Sequence, residues 1–300
     1  MNNAEIDSSG LGLFRPKEYF RPATIFEAVS LLAKYKAKSR IIAGGTDVLV
    51  MKPTECEYLI DITRLPLDYI ETDKNGLRMG ALTTFRSIES SEALENGGYK
   101  LLKEAAHKMG STPIRNVATV GGNISNALPS TEICPALVAH DSKVKIVGLS
   151  REKVILLEEF FIGVRKTVLR SDELLTEIQA PKTPPFTGTS FIKIGRTAED
   201  ISMVNAAVRV TLGNDRVCKE VRIVLGGGVG PTLIRSKRAE SLLEGERVGE
   251  DLIQKAAVEA SEGCCPRSVS FRGSPLYKIE ISKILVKRAL KQALERAYTR

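Results

Sequence analysis

The chain has 300 residues, of which 43% are hydrophobic, 27% charged and 5% aromatic, and its formal net charge is +8. This size and apolar content predict a globular protein of two or three domains with a large buried core. The basic residues are scattered and Trp is absent, which disfavours a nucleic-acid surface, since that needs clustered cations and stacking aromatic side chains. An anionic cofactor and acidic partner surfaces explain the charge better.

The sequence lacks the usual signs of membrane, metal and hydrolase chemistry. No apolar run reaches the ~18 residues of a membrane helix, and the first twenty residues lack the apolar core of a signal peptide. The five cysteines show no C-x-x-C spacing, and the two histidines, His107 and His140, are too few for a two-histidine metal site. These features predict a cytoplasmic location and no zinc or iron–sulfur site in this chain. Serine-hydrolase and P-loop motifs are also missing.

The first predicted block covers residues 1–65, and residues 1–14 read as a flexible lead-in. Thr24 is placed to cap a helix, and Glu27, three residues later, completes a capping box. Three strands are predicted to follow, at Arg40–Ala43, Val48–Met51 and Tyr58–Ile62, with a Gly44-Gly45 turn between the first two.

The second predicted block covers residues 66–183. Thr83 is expected to cap a helix that begins near Phe85, and two further helices are expected at Tyr99–Met109 and Thr131–Ala139. The strand candidates alternate apolar and polar residues and predict a mostly antiparallel sheet. They are Leu77–Leu82, Lys143–Val147, Lys153–Leu156 and Leu174–Gln179.

A proline-rich stretch, Pro181–Thr189, is the clearest linker and separates a third block at residues 188–300. Its strand candidates are Ser190–Ile194, Met203–Leu212 and Lys219–Leu225. Helices are predicted near Ser236–Leu243, Gly249–Glu262 and Ser274–Tyr298. The run Gly226-Gly-Gly-Val-Gly230 lacks a G-x-G-x-x-G frame and follows a strand, so it is interpreted as a tight structural turn.

Two glycine-rich segments, about 75 residues apart, carry most of the functional information. The first is Arg40-Ile-Ile-Ala-Gly-Gly-Thr-Asp-Val-Leu, and the second is Ala118-Thr-Val-Gly-Gly-Asn-Ile-Ser-Asn-Ala. Glycine has no Cβ and adopts positive φ, so backbone N–H groups can approach an anion closely. One such segment is typical of an ordinary loop, whereas the pair indicates one extended phosphate-bearing ligand held from both sides.

Several motifs, in order, resemble a known family. Ile41-Ile-Ala-Gly-Gly-Thr-Asp-Val48 and Arg115-Asn-Val-Ala-Thr-Val-Gly-Gly-Asn-Ile124 are similar to the two flavin loops of the FAD-binding medium subunit of the molybdenum hydroxylases, the xanthine dehydrogenase and aerobic carbon monoxide dehydrogenase type. Three later motifs resemble parts of the family's C-terminal domain. They are Phe191-Ile-Lys-Ile-Gly-Arg, Asp200–Val208 and Pro266-Arg-Ser, the last followed by Arg272.

The resemblance implies an α+β fold. It consists of a two-subdomain FAD-binding region of the vanillyl-alcohol-oxidase type, also called PCMH-type, followed by a smaller α+β domain. It also implies an oxidoreductase heterotrimer. A large subunit carries the molybdenum-pterin cofactor, and a small subunit carries two [2Fe–2S] clusters. FAD in this chain then receives the electrons and passes them to NAD+ or another acceptor.

The resemblance assigns cofactor-binding roles to named residues. Backbone amides of both glycine segments hold the FAD pyrophosphate. Glu132 matches an acid that lies near the adenosine half, and Leu174 contacts the flavin. Lys193 lies by the isoalloxazine, where a cation stabilises reduced flavin, and Ile201 covers one flavin face. The full set of predicted cofactor-binding residues is Ile41, Ile42, Ala43, Gly44, Gly45, Thr46, Asp47, Val48, Thr119, Val120, Gly121, Gly122, Asn123, Glu132, Leu174 and Lys193.

Purely structural interpretations of the same residues, without a bound cofactor, remain open. Glu132 suits a helix N-terminus by charge alone, Leu174 suits a strand core, and Lys193 suits a solvated strand face. Three function classes are also open: an electron-transfer subunit without substrate chemistry, a self-contained flavin oxidase or reductase of the same fold, and a structural subunit that has lost its flavin. No catalytic residue and no metal ligand is predicted in this chain.

Overall fold

The computed structural model describes residues 14–95, 98–268, 270 and 272–299, so nearly all of the predicted lead-in lies outside the described residues. The N-terminal elements are β1 (Glu18–Phe20), α1 (Ile25–Tyr35), β2 (Ser39–Ile42), α2 (Val48–Met51) and β3 (Tyr58–Asp61). The three strands form a parallel sheet in the order β1-β3-β2. Helix α1 covers the sheet, with Ala28, Val29 and Leu32 buried.

The predicted cap of α1 is present. The Thr24 hydroxyl accepts a hydrogen bond from the Glu27 amide at 3.1 Å, and the Glu27 carboxylate accepts one from the Ala23 amide at 2.8 Å. The return bond therefore reaches the residue before the cap rather than Thr24 itself. Both bonds satisfy N–H groups that a helix start leaves without partners.

The strand predicted at Val48–Met51 is wrong, because these residues form the short helix α2. Gly45 has φ +71° and reverses the chain directly after β2. The Leu49 amide then donates to the Gly45 carbonyl at 3.0 Å. Leu49 and Val50 are 55% and 79% exposed, so they do not pack against a neighbouring strand. Without such packing, β propensity is a weak preference.

The middle region contains an antiparallel sheet of five strands, four of which correspond to the predicted candidates, whereas Ile70–Asp73 was not predicted. Their order across the sheet is Ile70–Asp73, Gly76–Gly80, Leu174–Pro181, Lys143–Val147 and Glu152–Leu156. The elements of the middle region are β4 (Ile70–Asp73), β5 (Gly76–Gly80), α3 (Phe85–Ser90), α4 (Lys100–His107), α5 (Thr112–Val117), α6 (Val120–Asn126), α7 (Ile133–Ala139), β6 (Lys143–Val147), β7 (Glu152–Leu156), α8 (Leu157–Phe160), β8 (Phe161–Gly163), β9 (Lys166–Thr167) and β10 (Leu174–Pro181).

Two local expectations for this region need correction. The cap of α3 is Thr84, whose hydroxyl accepts from the Ser87 amide at 3.1 Å, whereas the buried Thr83 hydroxyl donates to the Tyr69 carbonyl at 2.9 Å. The second glycine segment is not a simple turn. It is the start of α6, with Thr119 as its cap.

The C-terminal elements are β11 (Thr187–Ile194), β12 (Val204–Leu212), β13 (Cys218–Gly226), β14 (Ile234–Arg235), α9 (Lys237–Ser241), α10 (Glu250–Glu262) and α11 (Pro275–Tyr298). The strands form an antiparallel sheet in sequence order. Strand β11 begins inside the predicted linker, since Gly188 lets helix α11 pack directly on it: a Cβ added there would lie 1.9 Å from the Ala293 carbonyl oxygen.

Both faces of this last sheet are covered, which explains why all nine residues of β12 are buried. Val208, Ile223 and their neighbours pack against α10 and α11 in one core. Phe191, Ala207 and Val224 point the other way and join the large core of the middle region. Helices α4 and α7 therefore pack against this face of the C-terminal sheet.

Candidate functional site

The first glycine segment follows β2 and offers a run of free donors. Ile41 and Ile42 lie in the strand, and Val48 begins α2. The amides of residues 43–48, which include Ala43, Thr46 and Asp47, donate to no backbone carbonyl among the described residues. Consecutive N–H groups of this kind form an anion-binding concavity.

This segment packs onto the element that precedes the second segment. A Cβ added at Gly44 would lie 1.8 Å from the Val117 carbonyl oxygen, at the end of α5. Only glycine permits so close an approach. Thr84 and Thr119 also form an isolated β-bridge. The two glycine segments, far apart in the chain, are therefore neighbours in space.

The donors of the second segment are mostly engaged within the protein. The Val120 amide donates to the Thr83 carbonyl and the Gly121 amide to the Ala81 carbonyl, both at 2.9 Å. The Gly122 amide donates to the Thr119 hydroxyl at 3.2 Å. These bonds fix the start of α6 against β5 and leave the first segment with more free donors.

Gly121 and Gly122 face different surroundings. A Cβ added at Gly121 would lie 2.6 Å from the Ala81 Cβ, so this glycine is required by packing. A Cβ added at Gly122 would meet only the Thr119 hydroxyl, at 2.9 Å, among the described residues. The Gly122 side of α6 is thus open to a ligand, and the free amides together with this open face fit a diphosphate.

Asn123 connects the second segment to the next helix. Its side-chain oxygen accepts hydrogen bonds from the Thr131 hydroxyl and, at 3.7 Å, from the Cys134 thiol. Both partners are buried. The side chain of Asn123 therefore orients α6 relative to α7.

Glu132 and Lys193, predicted from different parts of the chain, lie in direct contact. The Lys193 Nζ is 3.1 Å from Glu132 Oε1, and both side chains are almost fully buried, at 4% and 6% exposure. Lys193 also donates to the Lys108 carbonyl at 2.7 Å. Lys193 is thus not on a solvated strand face, and Glu132, at the start of α7, makes no side-chain cap bond.

Ser202 completes this group, and the sequence reasoning did not single it out. Its hydroxyl donates to Glu132 Oε1 at 2.7 Å, and the residue is 1% exposed. Its only sequence signal is its place within the Asp200–Val208 motif. The three side chains join the middle region to the C-terminal sheet.

Leu174 begins β10 and belongs to the core beneath the first glycine segment. It is buried in a cluster with Leu82 and Val147, and Ala43 packs against that cluster. Its position is that of a strand core residue that supports the segment. Ile201, in contrast, is 43% exposed.

Arg115, from the second motif, fixes the loop that leads into α5. It donates to the Met109 and Gly110 carbonyls at 3.1 and 2.9 Å, and to the Glu89 carboxylate at 3.0 Å. Burial by itself would raise the pKa of Glu89, but hydrogen bonds from His107, Arg86 and Arg115 lower that pKa to about 2. The carboxylate therefore stays charged and holds the loop at neutral pH.

Within the described ranges, no group of three or more His, Cys, Asp or Glu side chains is arranged to hold a metal ion. Across the same residues, no helix combines the length and the apolar character that a bilayer crossing requires.

Comparison with known proteins connects this geometry to a family. Residues 14–183 match the FAD binding domain in molybdopterin dehydrogenase, and residues 189–293 match the CO dehydrogenase flavoprotein C-terminal domain. The chain is 30% identical to the carbon monoxide dehydrogenase medium chain of Hydrogenophaga pseudoflava, over 93% of this chain and 97% of that protein. It is 28% identical to the xanthine dehydrogenase FAD-binding subunit of Escherichia coli O157:H7, over 95% and 98% of the two chains.

A solved structure agrees with the sequence relatives. Carbon monoxide dehydrogenase from Hydrogenophaga pseudoflava, in a form lacking the Mo-pyranopterin moiety of its cofactor, superposes with a TM-score of 0.90 at 30% identity. The superposition covers 94% of this chain and 98% of that one. The predicted α+β fold, with an FAD-binding region before a C-terminal flavoprotein domain, is confirmed. The chain belongs to the FAD-binding medium subunits of the molybdenum hydroxylases, which are oxidoreductase subunits.

Proposed function

We propose that this chain holds FAD between its two glycine segments and serves as the electron-transfer subunit of a molybdenum hydroxylase. The observation that carries the proposal is the run of free amides at residues 43–48, packed through Gly44 against the end of α5 and beside the open Gly122 face of α6. Backbone donors neutralise a diphosphate without bulky side chains.

The residues fall into three proposed roles. The first segment binds the pyrophosphate, the Thr119 and Gly122 end of α6 limits its position, and Lys193 lies on the flavin side. The resemblance assigns Glu132 to the adenosine half, but its side chain lies 3.1 Å from the Lys193 Nζ, so we propose that it acts on the flavin side through this ion pair. Leu174 supports the first segment from below. The full proposed set is Ile41, Ile42, Ala43, Gly44, Gly45, Thr46, Asp47, Val48, Thr119, Val120, Gly121, Gly122, Asn123, Glu132, Leu174 and Lys193.

Flavin can accept electrons and release them to a different acceptor, which is the chemistry that a relay requires. We propose that electrons come from [2Fe–2S] clusters in a small partner subunit, originate at a molybdenum-pterin centre in a large partner subunit, and leave to NAD+ or another acceptor. The related medium chain of carbon monoxide dehydrogenase supports such a heterotrimer by its name. The five cysteines are all unpaired, which supports a cytoplasmic location.

We also propose a division into residues 1–65, 66–183 and 188–300. Each part holds one of the three larger sheets, and the second part also holds the two-stranded β8–β9 pair. The first two parts form the FAD-binding region. The parallel sheet presents the first glycine segment and the five-stranded sheet supports the second, so the diphosphate lies between them. The third part supplies Lys193 and Ser202.

Stopped-flow spectroscopy of the isolated, flavin-loaded chain and of the complex with its partner subunits tests the relay. Isolated chain should bind one FAD that denaturation releases completely, because no histidine lies in an attachment context. Purines, aldehydes, carbon monoxide and aromatic heterocycles should leave the isolated flavin oxidised. In the complex, the flavin should bleach only after the molybdenum centre has been reduced by its substrate.

Three outcomes would contradict the proposal. Rapid bleaching of the isolated chain by one of these compounds would favour a self-contained flavin enzyme. Failure of the folded chain to bind FAD would favour a structural subunit. A complex whose flavin stays oxidised while its clusters are reduced would remove the flavin from the electron path.

A further inference from the structure

The Gly226–Gly230 loop has two glycines with positive φ, and packing explains only one of them. Gly227 has φ +88°, and a Cβ added there would lie 2.4 Å from the Val204 Cα. Gly228 has φ +73°, yet the sole atom of the described residues within 4 Å of its added Cβ is the Lys278 Nζ, at 3.6 Å. The loop is therefore more than a tight turn, since Gly228 lies next to the Lys278 cation and no other described atom comes within 4 Å of its added Cβ.

Lys278 is a buried cation without an anionic partner. It is 5% exposed, and its Nζ contacts the Ser270 hydroxyl at 3.2 Å and the Gly228 carbonyl at 3.5 Å. No carboxylate of the described residues lies within 4 Å of it, whereas Lys193 and Arg209, whose side chains are also buried, each pair with one. A buried charge without compensation is costly.

Two arginines intensify this charge. Burial lowers the pKa of Lys278, and the charges of Arg272 and then Arg267 lower it further, so all three groups lie within electrostatic reach. The Arg272 Nε is buried and has no hydrogen-bond partner among the described residues. Neither arginine pairs with a described carboxylate. The Arg272 backbone amide and the Lys278 Nζ both donate to the Ser270 hydroxyl, at 3.2 Å each, so these residues lie together beside the glycine loop, with Arg267 within electrostatic reach.

Backbone donors are available at the same position. The Gly227 amide donates to the Pro129 carbonyl, and the Val229 carbonyl accepts from the Cys265 amide. The amides of Gly228, Val229 and Gly230 donate to no backbone carbonyl among the described residues. Successive free amides beside a positive-φ glycine form a second concavity for an anion.

We propose that this cluster, defined by Gly228, Ser270, Arg272 and Lys278 with Arg267 at its edge, binds a phosphoryl group of a small molecule. The group is distinct from the FAD diphosphate, because the cluster lies between the end of β13 and the first turn of α11 and none of its members belongs to the two glycine segments. A dianion there neutralises Lys278 and Arg272 and accepts from the Arg272 Nε. Its source is either inorganic phosphate or the phosphate of a nucleotide.

Phosphate titration of the flavin-loaded chain is the test, since bound FAD prevents phosphate from occupying the pyrophosphate site. Thermal unfolding is followed at constant ionic strength, with chloride replacing phosphate. Once phosphate exceeds its Kd, each tenfold increase should raise Tm by about 2 °C. Isothermal calorimetry should show one phosphate site per chain.

Three variants separate specific binding from the general stabilising effect of phosphate. Lys278→Met and Arg272→Gln should lose the calorimetric site and most of the Tm response, whereas Arg288→Gln, an exposed cation on the same helix, should keep both. Without phosphate, Lys278→Met should also be at least as stable as the natural chain, because methionine has a similar volume and removes the uncompensated charge.

Equal phosphate responses in all four proteins, or no calorimetric site in the natural chain, would overturn the proposal. ADP and NAD+ are titrated in parallel to identify the source. A nucleotide that binds more tightly than phosphate, and only when Lys278 is present, assigns the site to a nucleotide. Tighter binding of inorganic phosphate assigns it to the free anion. Flavin absorbance reports FAD binding separately, so failure of the proposed function would be seen independently.

Discussion

Adjacent glycines at the start of α6 have different roles, although the sequence shows them as an identical pair. Gly121 lies so close to Ala81 that no side chain fits, whereas a Cβ added at Gly122 would meet only the Thr119 hydroxyl among the described residues. Position in a glycine motif does not indicate whether a glycine serves packing or ligand access. The distance from its missing Cβ to neighbouring atoms does.

Gly122→Ala should reduce FAD affinity at least tenfold while the chain stays folded. The new methyl group displaces the Thr119 hydroxyl and projects toward the proposed diphosphate, and loss of that cap bond costs about 1 kcal/mol. FAD affinity is measured by flavin fluorescence, and stability by urea unfolding without FAD.

Gly121→Ala is the matched control. Its methyl group overlaps Ala81, so it should lower the free energy of unfolding by about 1–3 kcal/mol without FAD. The role assigned to Gly122 would be lost if Gly122→Ala bound FAD as tightly as the natural chain.

At the scale of elements, α7 ends in a buried histidine that contributes to pH dependence. His140 is 2% exposed, its ring centroid lies 5.6 Å from that of Tyr99, and its Nε2 has no hydrogen-bond partner in the part of the chain that the structure describes. Burial, and then the charge of Arg209, lower the pKa of His140 to about 3. The imidazole is therefore neutral in the folded protein.

Stability should fall as the pH is lowered from about 6.5 toward 3. In this window the unfolded chain binds a proton at His140 and the folded chain does not, so protonation favours unfolding, by at most about 1.4 kcal/mol per pH unit. Urea unfolding at pH 7 and pH 5.5 measures the effect before carboxylates such as Glu89, whose pKa is lowered to about 2, begin to contribute.

His140→Phe removes this titration and keeps the ring. The variant should lose less stability between pH 7 and pH 5.5 than the natural chain. Identical losses in the two proteins would mean that His140 is protonated in the folded state or is exposed to water.

At the scale of the whole molecule, the FAD-binding region and the C-terminal domain share their packing. The side chains of three residues of the C-terminal sheet pack in the core of the middle region. They are Phe191, Ala207 and Val224. Arg209 strengthens the contact by donating to the Ala139 carbonyl at 2.7 Å and by pairing with Asp141. The Arg209 side chain is 6% exposed and that of Asp141 is 27% exposed, so losing Asp141 would leave a buried guanidinium without this partner.

The full chain should therefore unfold in a single calorimetric transition. Phe191→Ala, on the face toward the middle region, should lower the Tm of that one transition and cost about 3–5 kcal/mol. Val208→Ala, on the opposite face, should lower the same transition by less, because it removes fewer atoms. Two separate transitions, with Phe191→Ala affecting only one, would show that the parts unfold independently.

Local chemistry was sufficient for most elements. Thr24 caps α1 because a hydroxyl three residues before a glutamate satisfies the first amides wherever the chain goes. The apolar periodicity of α11 predicted nearly its full length, Pro275–Tyr298. The glycine segments indicated a phosphate-bearing ligand, and together with the C-terminal motifs, in their order, they were sufficient to identify the family. Each of these signals spans only a few residues, so the sequence carries it directly.

Tertiary structure decided the remainder, because it depends on which distant atoms become neighbours. Val48–Met51 has the composition of a strand but lacks a strand to pair with, so the positive φ of Gly45 turns it into helix α2. Glu132 and Lys193 lie 61 positions apart, and only the packing of α7 against the C-terminal sheet makes them a buried ion pair with Ser202. Burial and apposition are properties of the packed chain, and no local pattern encodes them.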